Sequence, residues 1–402
     1  MTRRDQRPRV FLHVGSPKTG TTFLQDVLWS QRATAGEQGL LLPGERFHDH
    51  FLATLDVRGL ADDPTYPERA RGMWDRLVAE TLDWDGTVLI SHELFAGATA
   101  EQGRRAVETL GDRAEVHVVV TARDHVRQIS AEWQEHVKHR SVATFGDFAR
   151  DVRDDTARTS WFWQVQDYAE VLERWGADLP PDQLHVVTVP PSGSDPTILW
   201  DRFAGLLGVD PAAFDTELER SNTSLGAEQA ELLRRINLEL GDRLPLPGPY
   251  PLVVKNVLAH RILEPRAGTR LALDAADQEF AADAGRGITE RIAAMGADVV
   301  GDLADLVPVA GGAPGEDAYA VPTDGTLLAE SVATIADLLV VLDERRSAVR
   351  RADDLTTTAQ GKPVRFALVQ ASENRPLLRK LRGAYRAVRN RRRDDRVGDP
   401  GA

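Results

Sequence analysis

The sequence contains no cysteine and very little lysine. Without cysteine the chain has neither a disulfide framework nor a thiolate metal site. Of 49 basic residues only five are lysine, namely Lys18, Lys138, Lys255, Lys362 and Lys380. Lysine is a compact point charge and arginine a planar fork, so a lysine in this background is expected where a point charge is needed. Lys18 and Lys138 are therefore candidate functional residues.

Long apolar runs and a basic overall charge are also absent. No window comes near the roughly 18–20 apolar residues that a bilayer-crossing helix needs, so we expect no membrane span. Residues 1–9 are polar and arginine-rich and lack the apolar core of a signal peptide. The net charge of −13 disfavours a general nucleic-acid binder. These features predict a soluble cytoplasmic protein without a nucleic-acid partner.

The C-terminal tail departs from this acidic average. Residues 375–396 carry ten Lys or Arg and two Asp or Glu. Leu377, Leu381, Tyr385 and Val388 follow helical spacing there. An amphipathic helix of this kind is a candidate for peripheral contact with an anionic membrane. A solvated tail, or a helix docked on the acidic body, remains an alternative.

Strand and helix patterns alternate along the first 308 residues. Apolar, partly β-branched runs predict strands at 10–14, 87–90, 116–120 and 184–189. Helical patterns lie between and after them, at 21–32, 67–82, 101–110, 124–139, 163–175, 196–207, 227–240 and 274–295. Alternation of this kind predicts a three-layer α/β/α domain with a central parallel sheet. We expect a linker at 309–323, rich in Gly, Pro and Ala, and a helical extension at 324–402 that includes the basic tail.

The strongest chemical signal is the turn after the first predicted strand. It reads Val-Gly-Ser-Pro-Lys-Thr-Gly-Thr-Thr-Phe over residues 14–23 and leads into a helix. Backbone N–H groups of such a turn, together with the helix N-terminus, form a concave anion site. Lys18 adds a mobile cation, and Thr21 and Thr22 add hydroxyl donors. The pattern therefore predicts phosphate binding.

The spacing differs from that of a Walker A loop. Gly15 and Gly20 have the Walker A separation, but Thr21 occupies the lysine position and Lys18 precedes the second glycine by two residues. The segment Pro-Lys-Thr-Gly-Thr-Thr-Phe resembles the 5′-phosphosulfate loop of sulfotransferases that use 3′-phosphoadenosine 5′-phosphosulfate (PAPS). The resemblance implies a P-loop-like fold, PAPS as co-substrate and no metal. It assigns Lys18 to the bridging oxygen of the phosphosulfate, and it assigns the cofactor to Ser16, Pro17, Lys18, Thr19, Gly20, Thr21 and Thr22.

A second signature of that family is a strand ending in Arg and a following helix that carries a Ser, which together bind the 3′-phosphate. Arg123 follows the third predicted strand, and Ser130 lies in the next helix. Ser130 is seven residues after Arg123, where the family usually has eight, and His125 stands where the family usually has proline. The resemblance covers residues 9–240.

The acceptor needs a base, and the family places His or Glu at the end of the strand before the arginine strand. Here His92 and Glu93 follow Ser91. Because adjacent strand residues point to opposite faces, only one of them is expected to face the sulfate, and Glu93 is preferred. A structural capping pair is the alternative.

Three further segments are weaker candidates. Lys138 lies either at the sulfate or at a solvated basic helix end. The aromatic residues at 161–163 with Tyr168 form either a sugar-stacking platform or core. Residues 221–224 sit where relatives place a nucleotide-contacting loop. The resemblance thus implies sulfuryl transfer from PAPS to a hydroxyl or amine of an unknown acceptor, with a glycan, a glycolipid and a small metabolite all open. An atypical nucleotide-dependent kinase or NTPase, or an inactive nucleotide-binding module, is the alternative.

Overall fold

A computed structural model describes residues 7–217, 224–246, 248–308 and 319–361, with side chains as far as 350. The chain divides into two compact units, Met1–Ser331 and Val332–Ala402. The first unit contains the sheet and the candidate site.

Six strands form one all-parallel sheet in the order β2-β3-β1-β4-β5-β6. Their bounds are β1 Arg9–Gly15, β2 Leu40–Leu41, β3 Thr87–Ser91, β4 Glu115–Ala122, β5 Leu184–Thr188 and β6 Asp298–Val300. The central strands are apolar and β-branched, and every residue of β4 after Glu115 is buried. Such continuous burial is typical of parallel strands covered on both faces.

Thirteen α-helices are present in the described part of the chain. The first seven are α1 Thr21–Ser30, α2 Arg32–Glu37, α3 Asp49–Val57, α4 Met73–Leu82, α5 Ala100–Leu110, α6 His125–Lys138 and α7 Phe145–Asp154. The others are α8 Trp161–Gln166, α9 Tyr168–Gly176, α10 Ile198–Leu207, α11 Ala227–Leu240, α12 Ala275–Met295 and α13 Asp324–Gly361. A π-helix, Pro251–Leu263, lies between α11 and α12.

Helices cover both faces of the sheet. On one face α1 and α10 pack against Phe11, Leu89 and Val119 through side chains such as Leu24 and Phe203. Each large side chain buried this way stabilises the fold by roughly 1.5–3 kcal/mol. On the other face α9 packs on β4, with α5 and α12 beside α9. The three-layer α/β/α prediction is confirmed.

The four predicted strands are present, whereas the single helix predicted at 163–175 is wrong. The chain breaks at Asp167 into α8 and α9. Asp167 caps α9 by accepting from the backbone N–H of Glu170, and its carboxylate pairs with Arg158 and Arg291. An Asp with these partners favours a helix start over a helix interior. The sequence prediction also missed β2, β6, α2, α3, α7 and the π-helix.

The expectation that no segment suits a membrane span is wrong for α13. Within the described residues, Asp324–Arg350 is one helix long and apolar enough to cross a bilayer, by length and composition alone. Residues 325–342 are apolar or small apart from a few polar side chains, of which only Glu330 and Asp337 are ionisable. A search for uninterrupted apolar runs overlooks such a segment. Most of the predicted linker and the whole basic tail lie outside the described residues and stay predictions.

Candidate functional site

The loops that follow β1, β3 and β4 meet at the carboxyl edge of the sheet. From β1 the chain continues to β2 and β3 on one side and then crosses to β4 on the other, so β1 lies at a switch point, where parallel sheets bind ligands. His13 joins these three strands: Nδ1 lies 2.8 Å from the Ser91 hydroxyl and Nε2 lies 3.2 Å from the Thr121 hydroxyl. Burial lowers the pKa of His13 to about 4. A neutral imidazole therefore fixes the edge at neutral pH.

The loop after β1 is held by hydrogen bonds within itself and to β4. The Thr19 hydroxyl donates to the Ser16 carbonyl at 2.6 Å, and the Ser16 N–H donates to the Thr121 carbonyl at 3.1 Å. Gly20 has a φ of 87°, and a Cβ there would lie 2.5 Å from a Leu199 methyl group. Only glycine satisfies both constraints at this position. The hydroxyl of Thr19 thus holds the loop together and also contacts the Thr121 hydroxyl of β4.

The loop delivers the chain into the N-terminus of α1. Gly20 offers no side chain to cap the helix, and the first turn carries no carboxylate. Thr21 is buried and Thr22 is exposed in that turn. The Ser16 hydroxyl is buried without a hydrogen-bond partner. An uncapped helix N-terminus with free polar groups around it favours an anion.

Two buried glutamines hold the loop from behind, and the sequence analysis missed both. Gln128 on α6 donates to the Pro17 carbonyl at 2.9 Å, and Gln166 at the end of α8 donates to the same carbonyl at 3.1 Å. Gln128 also donates to the Gln166 side-chain oxygen at 2.6 Å. We call this pair the glutamine brace. No motif announces it, because amide side chains carry no charge pattern and the two residues are far apart in the chain.

Lys18 forms an ion pair with Glu135 on α6. The same carboxylate binds Lys138 at 2.9 Å and Lys255 of the π-helix at 2.7 Å. Three of the five lysines of the chain thus converge on one glutamate, here called the lysine cluster. Burial by itself raises the pKa of Glu135, but the three lysines outweigh burial and lower it strongly.

The lysine cluster also places Lys138, which the sequence left either at the sulfate or in solvent. Its ammonium is buried and bound to Glu135 and, at 3.0 Å, to Glu264. Burial lowers the pKa of Lys18, and the charge of Lys138 lowers it further. Lys138 therefore acts on the loop through Glu135 and through its charge.

Arg123 directly follows β4, as predicted. Its guanidinium donates to the Arg127 carbonyl at 2.9 Å, and its own carbonyl accepts from the Tyr168 hydroxyl at 2.7 Å. Burial and then the charge of Arg127 lower the pKa of Arg123 to about 10, so it stays cationic at neutral pH. Its Nε is buried without a partner. The Ser130 hydroxyl bonds the Val126 carbonyl one turn earlier, at 3.4 Å.

Glu132 lies between the loop and the arginine. Its carboxylate accepts from the brace residue Gln166 at 3.0 Å, and it interacts electrostatically with both Lys18 and Arg123. Burial raises the pKa of Glu132 to about 7, against the opposing effect of Lys18. A buried carboxyl that ionises near neutral pH is typical of functional sites.

The predicted alternation of His92 and Glu93 along a strand is wrong, because β3 ends at Ser91. His92 caps a 3₁₀ turn, Glu93–Gly97, and its Nδ1 accepts from the Leu94 N–H at 3.2 Å. That nitrogen lies 3.8 Å from a Glu93 carboxylate oxygen, so both side chains lie on one side. In this tautomer Nδ1 is the unprotonated ring nitrogen of His92, and it already accepts the hydrogen bond from Leu94.

Glu93 is therefore the more available base. Gln25 donates to its carboxylate at 3.4 Å. Burial raises the pKa of Glu93, but His92, the local backbone and Lys18 outweigh burial, so the net shift is downward. Burial lowers the pKa of His92. Glu93 is thus ionised, and His92 neutral, at neutral pH.

The aromatic cluster, for which a sugar-stacking platform and core were both left open, is mostly core. Phe162, Trp163 and Tyr168 are buried, and only Trp161 is half-buried. A different set of rings flanks the candidate base: Phe51 lies 5.4 Å from the His92 ring and 6.4 Å from Tyr66, measured between ring centres. Phe51 and Tyr66 are half-buried. We call these two residues the aromatic shelf.

Two expectations from the sequence remain, the nucleotide-contacting loop and the absence of a metal site. Residues 221–223 lie outside the described part of the chain, so the nucleotide-contacting loop expected at 221–224 stays a prediction. Among the described residues, no group of three or more His, Asp or Glu side chains is arranged to hold a metal ion. Comparisons with protein-family models, with curated proteins and with solved structures returned no match.

Proposed function

We propose that the protein transfers the sulfuryl group of PAPS to a hydroxyl or amine acceptor, and that it has a P-loop-like nucleotide site. One observation carries the proposal. The Pro-Lys-Thr-Gly-Thr-Thr loop opens onto an uncapped helix N-terminus, and Lys18, Arg123 and the candidate base Glu93 lie around it. These are the groups that a phosphosulfate donor needs.

In the proposed reaction the acceptor oxygen or nitrogen attacks sulfur in line with the bridging oxygen of the phosphosulfate. The new bond to sulfur forms as the bond from sulfur to the bridging oxygen breaks. Glu93 takes the acceptor proton, and 3′-phosphoadenosine 5′-phosphate (PAP) leaves with the electron pair. Catalysis of this kind depends on positioning and on stabilising the charge of the leaving group.

Lys18 supplies that charge once it exchanges Glu135 for the phosphosulfate. Glu135 keeps Lys138 and Lys255 as partners after the exchange. The departure of Lys18 therefore leaves no unpaired buried carboxylate. The acceptor would approach past the aromatic shelf, which lies beside His92.

Calorimetric binding of PAP, with ATP and Mg²⁺ as the comparator, tests the nucleotide site. We expect PAP to bind and ATP to bind much more weakly. Lys18→Ala and Arg123→Ala should each weaken PAP roughly 10- to 100-fold, since each removes a hydrogen bond to a charged group. Arg71→Ala, which removes an exposed cation paired with Asp62, is the matched control and should change nothing.

Binding of adenosine 5′-monophosphate distinguishes the role of Lys18 from that of Arg123. This nucleotide lacks the 3′-phosphate, so Arg123→Ala should leave its binding unchanged while Lys18→Ala weakens it. If ATP binds and PAP does not, the kinase or NTPase reading replaces this one. If neither nucleotide binds, the site is not a nucleotide site.

A further inference from the structure

Arg58 is a half-buried arginine that lacks an anionic partner within the described part of the chain. It directly follows α3, and its guanidinium carbon lies 5.2 Å from the centre of the Trp161 ring. Among the described residues, no hydrogen bond or ion pair engages this guanidinium. Burial lowers the pKa of Arg58, and no carboxylate raises it. A charge that is taken out of water without a counter-charge costs stability, so an anion from outside the chain would be favoured here.

A second arginine of the chain stacks on tryptophan and shows what is missing at Arg58. Arg158 lies 4.3 Å from the centre of the Trp163 ring, and its guanidinium also pairs with Asp167 at 2.5 Å. Stacking uses only the face of a guanidinium and leaves the N–H donors at its edge for a carboxylate or another oxyanion. The chain supplies that carboxylate to Arg158 and supplies none to Arg58.

Arg58 lies on the side of the site where the acceptor would approach. It follows Phe51 by seven residues, which is close to two turns of α-helix, so both residues lie on one face of α3. That face meets the turn Glu93–Gly97, since Phe51 lies against His92 and Arg58 lies beside Gly97. Tyr66, the other residue of the aromatic shelf, interacts electrostatically with Arg58. The shelf therefore extends from the candidate base to Arg58.

The same turn sets the distance between Arg58 and the candidate base. A Cβ at Gly97 would lie 2.7 Å from the Trp161 ring and 3.2 Å from the Arg58 guanidinium carbon, so both side chains pack directly on the end of the turn. A 3₁₀ helix rises about 2 Å per residue, which places Arg58 roughly 8 Å along the turn from Glu93. A ring with one substituent spans a distance of this order.

We propose that Arg58 binds an oxyanion of the acceptor. The acceptor is then a ring compound that packs on the aromatic shelf, with its reacting hydroxyl or amine at Glu93 and a carboxylate, sulfate or phosphate group at Arg58. The assignment of the two ends depends on the function proposed above, because Glu93 is the base only in that reaction. An aromatic shelf suits the flat face of either a phenol or a sugar.

Calorimetric titrations of the PAP-bound protein test this assignment with two pairs of ligands. The first pair is 3-(4-hydroxyphenyl)propanoate and its neutral amide. The second is methyl glucuronide and methyl glucoside. We expect the anionic member of at least one pair to bind roughly 10- to 100-fold more tightly than the neutral member, as a hydrogen bond to a charged group predicts. The pair that discriminates identifies the ring as a phenol or a sugar.

Three variants locate the anion. Arg58→Gln should remove the preference for the anionic ligand and leave PAP binding unchanged. Arg58→Lys keeps the charge without the planar fork and should retain part of the preference. Arg104→Gln is the matched control, because Arg104 is exposed on α5 and pairs with Glu108 at 3.7 Å. It should retain the full preference.

The outcomes separate this assignment from the proposed function. If PAP binds but both pairs show equal affinities, or none of the four ligands binds, Arg58 does not hold an acceptor anion and the nucleotide site still stands. A preference that persists in Arg58→Gln would place the anion on another cation and would also overturn the assignment. Failure of PAP to bind the wild-type chain would instead refute the proposed function. The wild-type titrations need no substitution, so they decide the matter even if a variant does not fold.

Discussion

Polar side chains lie at both edges of the parallel sheet. They are hydrogen-bonded to one another at the amino edge, whereas several lack a partner at the carboxyl edge. At the amino edge Glu115, His117, His185 and Asp298 form one continuous chain, with contacts of 3.2, 2.8 and 2.8 Å in that order. At the carboxyl edge the Ser16 hydroxyl, the Arg123 Nε and the Gln128 side-chain oxygen are buried without partners. Buried polar groups without partners cost stability. The polar groups of the amino edge are therefore paired with one another, whereas the carboxyl edge keeps unpaired polar groups, which agrees with the nucleotide site proposed there.

The largest expected effect lies at the base. Glu93→Gln should lower the rate of PAP release from PAPS by about 10²- to 10⁴-fold while PAP binding stays intact, because general-base catalysis contributes that much. His92→Asn should lower it less, since the His92 acceptor nitrogen is engaged by Leu94. Initial rates by chromatography and PAP binding by calorimetry measure both. If His92→Asn is the more damaging change, His92 is the base.

A pH-dependent effect on stability should follow from Glu132. Its pKa of about 7 lies above the ordinary value of 4.5, so the folded chain keeps a proton that the unfolded chain loses. The resulting stabilisation is complete below about pH 4.5 and is lost as pH rises through about 7. Glu132→Gln retains the oxygen that accepts from Gln166 and removes the titration. The variant should therefore gain up to about 3 kcal/mol over wild type between pH 4.5 and pH 8.

Denaturant unfolding across that pH range checks the change. Buried histidines such as His13 titrate in both proteins, so their contribution to the pH dependence cancels in the difference between variant and wild type. A stability difference that does not vary with pH would show that Glu132 is already ionised in the folded chain.

The smallest effect is expected at the amino edge. Asp298→Ala removes the partner of His185 Nδ1 and should lower the free energy of unfolding by about 1 kcal/mol. PAP binding should not change, because the amino edge lies at the other end of the strands. Thermal unfolding and calorimetry on one sample measure both quantities. A loss of PAP binding would show that the two edges are coupled.

The sequence predicted the elements whose signal is local. The apolar runs of β1, β3, β4 and β5 and the Pro-Lys-Thr-Gly-Thr-Thr turn are each legible within a few residues. The edge strands β2 and β6 have two and three residues, which is too short for a periodic pattern. The end of β3 at Ser91 also escaped prediction, and the alternation argument for His92 and Glu93 failed with it.

The parts of the site that depend on tertiary contacts could not be predicted from the sequence. The glutamine brace joins residues 38 apart through neutral amides. The lysine cluster joins Lys18 to Lys255 through Glu135. The rarity of lysine singled out Lys18 and Lys138 in the sequence, but not Lys255. The sequence left the aromatic residues at 161–163 open to interpretation as platform or core, and burial in the structure separates the two.

The Glu135 carboxylate competes with any anion for binding to Lys18. Any anion that binds Lys18 must displace this carboxylate, so the measured affinity is the intrinsic affinity reduced by the fraction of molecules in which Lys18 is free. Added salt weakens both the internal pair and the ligand contact. Affinity should therefore fall less with ionic strength than it would at an open cationic site, and Glu135→Gln should restore the steeper dependence.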